Sequence, residues 1–371
     1  MKIALVYDWV NKFGGAERIL LALHKIYPSA PLFTAVYDKV KADWARDFDV
    51  RPSPINRIPF LQDRHEMLPL LTPYIFESFN FDGFDVVISV TSADAKGIIT
   101  KPGTLHICYC LTPTRYTWSG YKDYTDEPGM GRLNSFARLF FKVFSHNLRS
   151  WDYIASSRPD LYIAISRTVA ARIHAYYKRQ AEIIYPPADT DKFVPSDNKK
   201  RDYYLVVSRL VPYKKIDYVV SAFNTLGWKL KIIGNGIDEK RLKKLARDNI
   251  EFIDGNLTDE KLCWYYQNCH ALIFPGEEDF GLTAVEAQAS GRPVIGYGSG
   301  GITEIVIPGK TGELYDTTNE RTLISILKAF KAEKYLSSLC RQNSKRFEKL
   351  YFQRRMKKMI ENYWNRWEKR L

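Results

Sequence analysis

Short apolar, β-branched runs alternate with helix-patterned segments along this chain, and the alternation occurs twice. In the first half the runs fall at 2–7, 32–37, 85–90, 105–110, 160–165 and 182–185, with helical patterns at 16–26 and 167–177 among them. After Pro186-Pro187 and the polar stretch 196–201 the pattern restarts at 203–208, 229–233, 250–253, 271–274 and 293–297, with helical patterns at 215–226, 239–247, 259–267 and 283–289. Runs apolar on both sides read as strands covered on both faces, and helices between them supply the crossovers that parallel pairing needs. The expected class is α/β: two Rossmann-like, doubly wound domains facing an interdomain cleft. A length of 371 residues suits two cores of ordinary size. The expected division is 1–190, 191–350 and a C-terminal helix over 351–371. Ligands of such sheets lie beyond the carboxyl ends of the strands, so the loops there are the first place to look for chemistry.

The loop after the run 271–274 is the richest of them: Pro275-Gly276-Glu277-Glu278-Asp279-Phe280-Gly281-Leu282, leading into Thr283-Ala284-Val285-Glu286. A strand, a glycine-containing loop and a helix N-terminus expose backbone N–H groups to an anion. Glu278 and Glu286 bracket that place, and carboxylates beside an anion site are better suited to accept hydrogen bonds from hydroxyls. A ligand with both phosphates and hydroxyls is a nucleotide-sugar. Arg209 and Lys214 follow the run 203–208, so both cations project at a strand's carboxyl end, where they suit a departing diphosphate. Alone they could belong to a solvated loop. Gly14-Gly15 after the first run is a second tight backbone approach, from the other domain.

Three other patterns carry less. The string Gly296-Tyr297-Gly298-Ser299-Gly300-Gly301 matches G-x-G-x-x-G but comes late in its domain, so Gly300-Gly301 is read as backbone approaching the same phosphates and not as a dinucleotide fingerprint. Asp189-Thr190-Asp191 follows Pro186-Pro187 and reads as a turn, and with Arg209 and Lys214 available no metal is expected. Five scattered cysteines, with Cys108-Tyr109-Cys110 lacking a histidine cluster, read as buried thiols in a reducing compartment.

The formal charge of +13 leaves nucleic acid, an anionic membrane surface or phosphorylated substrates as partners. From Arg346 onward nine Lys/Arg stand against three Glu, so +6 of it lies on the terminal helix. These basic residues form no aromatic-interleaved recognition module, and nucleic acid is not expected as a partner. That helix reads either as a solvated face, as an anionic-surface contact or as packing back on the N-terminal domain. The stripe Leu133, Phe136, Phe140, Val143, Phe144 and Trp151 reads as a core or interdomain helix or as one lying on a membrane. Residues 1–10, interrupted by Asp8, do not read as a signal peptide, and no run reaches the ~18–20 apolar residues of a spanning helix. A cytoplasmic protein, peripheral at the inner face of the cell membrane, is expected.

Taken together, Gly14-Gly15-Ala16-Glu17-Arg18, His106 to Cys110, Tyr185-Pro186-Pro187, Arg209 with Lys214, and Glu278–Glu286 with Phe280-Gly281-Leu282 inside it make the chain resemble family 4 of the retaining glycosyltransferases, of the two-domain GT-B fold. Thr112-Pro113-Thr114-Arg115-Tyr116 is similar to bacterial mannosyltransferases of lipopolysaccharide core or O-antigen synthesis. The resemblance implies that Glu286 holds the donor ribose and Glu278 the transferred sugar's hydroxyls. Asp279 lies with them in the donor loop, and the amides of Phe280, Gly281 and Leu282 orient sugar and phosphate. Arg209 and Lys214 would stabilise the leaving nucleoside diphosphate, and Gly14 and Gly15 would line the cleft from the acceptor side. It implies a hexose, mannose from GDP-mannose, moved without metal or other cofactor onto a lipid-linked or lipopolysaccharide acceptor. A donor of the UDP- or ADP-hexose kind and a GT-B sugar-nucleotide epimerase are the alternatives. Many members carry a histidine just before the Thr-Pro step, where this chain has Leu111. His106, at odd separation along a strand, faces the other way and is read as structural.

Overall fold

The computed structural model describes residues 1–58, 70–121, 134–196 and 201–369, with backbone alone for 134–137 and 139–142. The chain separates into two compact units, Met1–Pro187 with Phe352–Leu371, and Ala188–Tyr351. The division falls at 187/188 and 351/352, against 190/191 and 350/351 read from the sequence.

In the first unit seven strands form one sheet in the order β3-β2-β1-β4-β5-β6-β7, every neighbouring pair parallel. They are β1 (Ile3–Val10), β2 (Leu32–Tyr37), β3 (Val50–Pro52), β4 (Val86–Thr91), β5 (Leu105–Cys110), β6 (Leu161–Ala164) and β7 (Ala181–Ile183). The second unit has six: β8 (Tyr203–Val207), β9 (Leu230–Ile233), β10 (Ile250–Ile253), β11 (Cys269–Phe274), β12 (Val294–Tyr297) and β13 (Gly312–Tyr315), ordered β10-β9-β8-β11-β12-β13. All its ladders are parallel too. β4 and β5 are buried at every residue, which is why such interior strands read as largely apolar runs. β3 and β13 were not evident in the sequence. Both lie at sheet edges, and Val50-Arg51-Pro52 has the charge and proline that an edge tolerates and a central strand does not.

The helix Lys349–Glu368 begins in the second unit and continues in the first. Phe352, Met356 and Ile360, four residues apart, are its buried stripe. Within the first unit the Phe352 ring meets Tyr109 edge-on at 5.8 Å, and Gln353 donates to the Ala22 carbonyl at 3.1 Å. Arg354, Arg355, Lys357 and Lys358 are exposed, while Arg370 and Leu371 lie outside the described residues. Each fully buried side chain of this size contributes about 1.5–3 kcal/mol, so this stripe anchors the helix to its unit.

The helix Asn134–Ala155 divides the stripe read from the sequence. Val143 is exposed, whereas Trp151 donates to Glu77 at 2.9 Å and packs under Gly97. Arg132 and Leu133 lie outside the described residues, as do the side chains of Phe136 and Phe140. Among the described residues no helix is long and apolar enough to cross a membrane.

Candidate functional site

In the second unit β8 leads to β9 and β10 on one side, and β11 leads to β12 and β13 on the other. The direction of winding reverses between β8 and β11, and a doubly wound sheet opens its binding crevice beyond the carboxyl ends of that pair. The two loops that leave these strands are the ones carrying Arg209 with Lys214 and the segment 275–281.

The two loops touch. The Lys214 ammonium lies 2.5 Å from Glu278 Oε1, with side-chain exposures of 10% and 27%. Lys214 closes the short helical turn Pro212–Lys214, and Lys215 follows in the left-handed region at φ 57°. Gly276 lies against the backbone of Lys214: a Cβ on it would stand 3.0 Å from the Lys214 carbonyl oxygen. Tyr218, on the helix Ile216–Leu226, donates to the Pro275 carbonyl at 2.8 Å and shares a 2.6 Å hydrogen bond with Tyr315. Arg209 donates to the Tyr213 hydroxyl at 2.7 Å and is exposed.

From the other side the loop is held by Ser299-Gly300-Gly301. Glu278 and Gly300 form a parallel bridge, and the Gly301 N–H donates to the Glu278 carbonyl at 2.8 Å. Ser299 donates to Glu277 at 2.9 Å. A Cβ on Gly301 would fall 2.3 Å from Phe280 Cα, and one on Gly300 2.4 Å from the Glu278 oxygen. These glycines therefore let the backbone pack closely against the carboxylate loop itself. The bridge and the Gly301 hydrogen bond fix the loop's backbone from one side, and Tyr218 fixes it from the other.

The loop ends in a helix N-terminus. Gly281, at φ 114°, is the N-cap of the helix Leu282–Ala289 and brings no side-chain cap of its own. Phe280 is buried edge-on to Phe347 at 5.4 Å, Asp279 and Leu282 are half-buried, and Leu282 opens the helix. One turn on, Glu286 is buried, and the Tyr266 hydroxyl donates to its Oε2 at 3.0 Å. Tyr266 itself is fully buried on the helix Asp259–Asn268. Sequence reasoning missed Tyr266 and Tyr218, because an aromatic residue on a helix carries no signal beyond core packing. Lys214, Glu278, Asp279, Phe280, Gly281, Leu282 and Glu286 thus form one contiguous arrangement with Arg209 on the same β8 loop. Chemically it offers a cation, a helix N-terminus and carboxylates, the partners a diphosphate and sugar hydroxyls require.

Gly14 and Gly15 lie in the first unit, after β1, where winding reverses between β1 and β4. Gly14 is the N-cap of the helix Gly15–Ile26, without a side-chain cap, at an extended φ of −171°. The Glu17 carboxylate accepts the Tyr7 hydroxyl at 2.6 Å. Burial pushes the Glu17 carboxyl above its ordinary value, and the Tyr7 hydrogen bond offsets part of the rise. Beside it, buried Asp8 accepts from the Thr91 hydroxyl and from the N–H groups of Ser92 and Ala95, each at 2.8–3.0 Å. Buried Lys96 reaches Asp152 at 2.5 Å, and Asp152 also accepts from Thr114, Trp118 and Tyr177. No local sequence pattern announces this network.

His106 is fully buried with Nε2 2.9 Å from Ser89 Oγ, and burial lowers its pKa to about 3, so it is neutral. Leu111 is half-buried at the end of β5. All five cysteines are buried and free. Asp189 is in a turn and pairs with Lys349 at 2.8 Å. Among the described residues no group of three or more His, Cys, Asp or Glu could hold a metal ion.

Residues 187–347 match the family model "Glycosyl transferases group 1". An uncharacterized glycosyltransferase of Methanocaldococcus jannaschii is 26% identical over 201 residues, 53% of this chain and 57% of the relative. A GDP-mannose-dependent α-(1-6)-phosphatidylinositol monomannoside mannosyltransferase of Mycobacterium tuberculosis is 30% identical over 225 residues, 50% of this chain and 58% of the relative. The chain thus spans a little under three fifths of the length of these curated relatives. Among solved structures, Anabaena HepE in complex with UDP superposes with a TM-score of 0.71 at 16% identity, over 98% of this chain and 100% of that one. Sucrose-phosphate synthase of Thermosynechococcus elongatus superposes at 0.75 with 16% identity, over the same shares. The fold, two Rossmann-like units each built on a parallel sheet, is that of the GT-B glycosyltransferases.

Proposed function

We propose that this chain is a retaining glycosyltransferase of family 4 that moves a hexose, mannose from GDP-mannose, onto a lipid-linked saccharide of the lipopolysaccharide or a related glycan. The observation that carries the reading is the contact of Lys214 with Glu278 beside the N-terminus of the helix Leu282–Ala289, at the point where the second sheet reverses its winding. The names of similar proteins support the sugar and the lipid: GDP-mannose-dependent mannosyltransferases recur among the relatives, one acting on a phosphatidylinositol mannoside.

In this reading Glu286, oriented by Tyr266, takes the ribose hydroxyls, and Glu278 takes hydroxyls of the transferred sugar. Asp279 and the amides of Phe280, Gly281 and Leu282 complete the donor site. Lys214 and Arg209 stabilise the diphosphate as its charge grows, in the role a divalent ion would otherwise fill, and transfer needs no metal. The acceptor oxygen bonds to the anomeric carbon as the bond from that carbon to the β-phosphate oxygen breaks, and the acceptor's proton passes to the diphosphate. The first unit, with Gly14 and Gly15, serves the acceptor, and work on a lipid-linked substrate places the protein peripherally at the inner face of the membrane.

A thermal-shift panel of GDP-mannose, UDP-glucose, UDP-N-acetylglucosamine and ADP-glucose tests it, because a ligand that binds the folded state raises the melting midpoint according to its affinity. GDP-mannose is expected to give the largest rise, and Glu286→Ala is expected to abolish it. A larger rise with a UDP- or ADP-sugar would overturn the donor. No rise with any of the four would overturn the donor site.

A further inference from the structure

Lys214 and Glu278 are needed by different parts of a nucleotide-sugar, the cation by its diphosphate and the carboxylate by its sugar. In the structure they satisfy each other at 2.5 Å. Both backbones are held. Gly276 lies against the backbone of Lys214, and Glu278 is bridged to Gly300 and accepts from the Gly301 N–H. The exchange of partners is therefore confined to two side chains. With 10% and 27% of their side chains exposed, both groups are reachable by a ligand yet shielded enough for their charges to act strongly on a neighbour.

We propose that Glu278 acts as an internal competitor for the diphosphate and so makes the site favour a nucleotide-sugar over the bare nucleoside diphosphate. This rests on the donor-site reading above. A nucleotide-sugar takes Lys214 with its diphosphate and repays Glu278 with hydroxyl donors from the sugar. A nucleoside diphosphate takes Lys214 and offers Glu278 nothing, while its terminal phosphate, which carries more negative charge than an esterified one, stands near an uncompensated carboxylate. Once the sugar has been transferred, the carboxylate returns to Lys214 and drives the spent diphosphate out. The pair is thus a device for product release and for resisting product inhibition.

The sign of the effect is unusual, because removal of a binding-site carboxylate tightens binding of one ligand. GDP, UDP and ADP titrated calorimetrically into the full chain identify the diphosphate that binds, and the titration is repeated with Glu278→Gln and Glu277→Gln. Glutamine is isosteric and leaves the backbone bridge to Gly300 in place. Glu278→Gln is expected to bind that diphosphate about tenfold more tightly, and Glu277→Gln, which removes the same unit of charge from the neighbouring carboxylate that accepts from Ser299, to bind it as the native protein does. Unchanged or weaker affinity in Glu278→Gln overturns the competition. Equal tightening in both variants overturns it as well, since that is the effect of net charge alone. If the native chain binds none of the three, the donor-site reading falls first and the competition with it.

Discussion

The two units reverse the winding of their sheets at equivalent places and use those places in opposite ways. Beyond β1 and β4 the backbone donors meet a carboxylate of the chain itself: Asp8 accepts from Ser92 and Ala95. Beyond β8 and β11, before the helix Leu282–Ala289, the carboxylate of Glu278 is turned onto a cation of the chain, Lys214. The same architecture therefore makes one crevice where backbone donors meet the chain's own carboxylate and one where a carboxylate meets the chain's own cation. A fold supplies the position of a site, and the local side chains decide whether anything is left there to bind.

The glycines of the two crevices should separate them most sharply. In Gly301→Ala the new Cβ meets backbone, Phe280 Cα at 2.3 Å, so the carboxylate loop must move. The expected outcome is a stability loss of about 1–3 kcal/mol, the usual scale for overpacking, with loss of nucleotide-sugar binding. In Gly14→Ala the nearest atom is the end of the Glu17 side chain at 3.3 Å, and the extended backbone suits any residue. That variant should lose under ~1 kcal/mol, the scale of a changed N-cap. Melting midpoints of both variants check the contrast. Equal losses would mean that the first crevice is as tightly built as the second.

The first crevice should also announce itself through pH. Asp94, fully buried, accepts from Thr72 at 2.5 Å and from Tyr116 at 3.2 Å. Burial raises its carboxyl to about 6, opposed by Lys96 and reinforced by Asp8 and Asp152. An unfolded aspartate titrates near ~3.9, so the native state holds this proton more tightly than the unfolded chain does. The resulting stability is full below about pH 4 and is lost as pH rises through about 6. Asp94→Asn removes the titration and should gain on the native protein by about 1–2 kcal/mol between pH 4 and pH 7. Melting midpoints across that range check it, and a difference that does not change with pH would remove Asp94 from the account.

The parts of this molecule that were legible in the sequence are those where a physical requirement leaves a local pattern. Central parallel strands must be apolar on both faces, so β1, β4, β5, β8 and β11 announced themselves, whereas the edge strands β3 and β13 had no such requirement. The segment 275–286 was legible because a strand, glycines and a helix start occur in one run. What the sequence could not show was pairing across distance. Lys214 and Glu278 are 64 positions apart and were assigned separate roles, with no sign that they hold each other. Gly300 and Gly301 were assigned to a ligand, and the sequence does not reveal that Glu278 and Phe280 occupy the space beside them. The network of Asp8, Lys96 and Asp152 spans most of the first unit and leaves no local trace.

The mildest test concerns how the second crevice orients its buried carboxylate. Asp8 is held by three donors on neighbouring segments, and Glu286 accepts on Oε2 from the Tyr266 hydroxyl of the helix before β11. Tyr266→Phe keeps the ring that packs on Phe193 and removes only that hydroxyl. A hydrogen bond of this kind contributes about 1 kcal/mol, so the melting midpoint should fall by a few degrees at most. If the hydroxyl also orients Glu286 for the ribose, the variant should lose a few-fold in nucleotide-sugar affinity while kcat stays near native, because the ribose is remote from the bond that breaks. A lower midpoint with unchanged affinity would assign Tyr266 to the core alone. A matching fall in kcat would mean that Glu286 acts closer to the transferred sugar than a ribose ligand does.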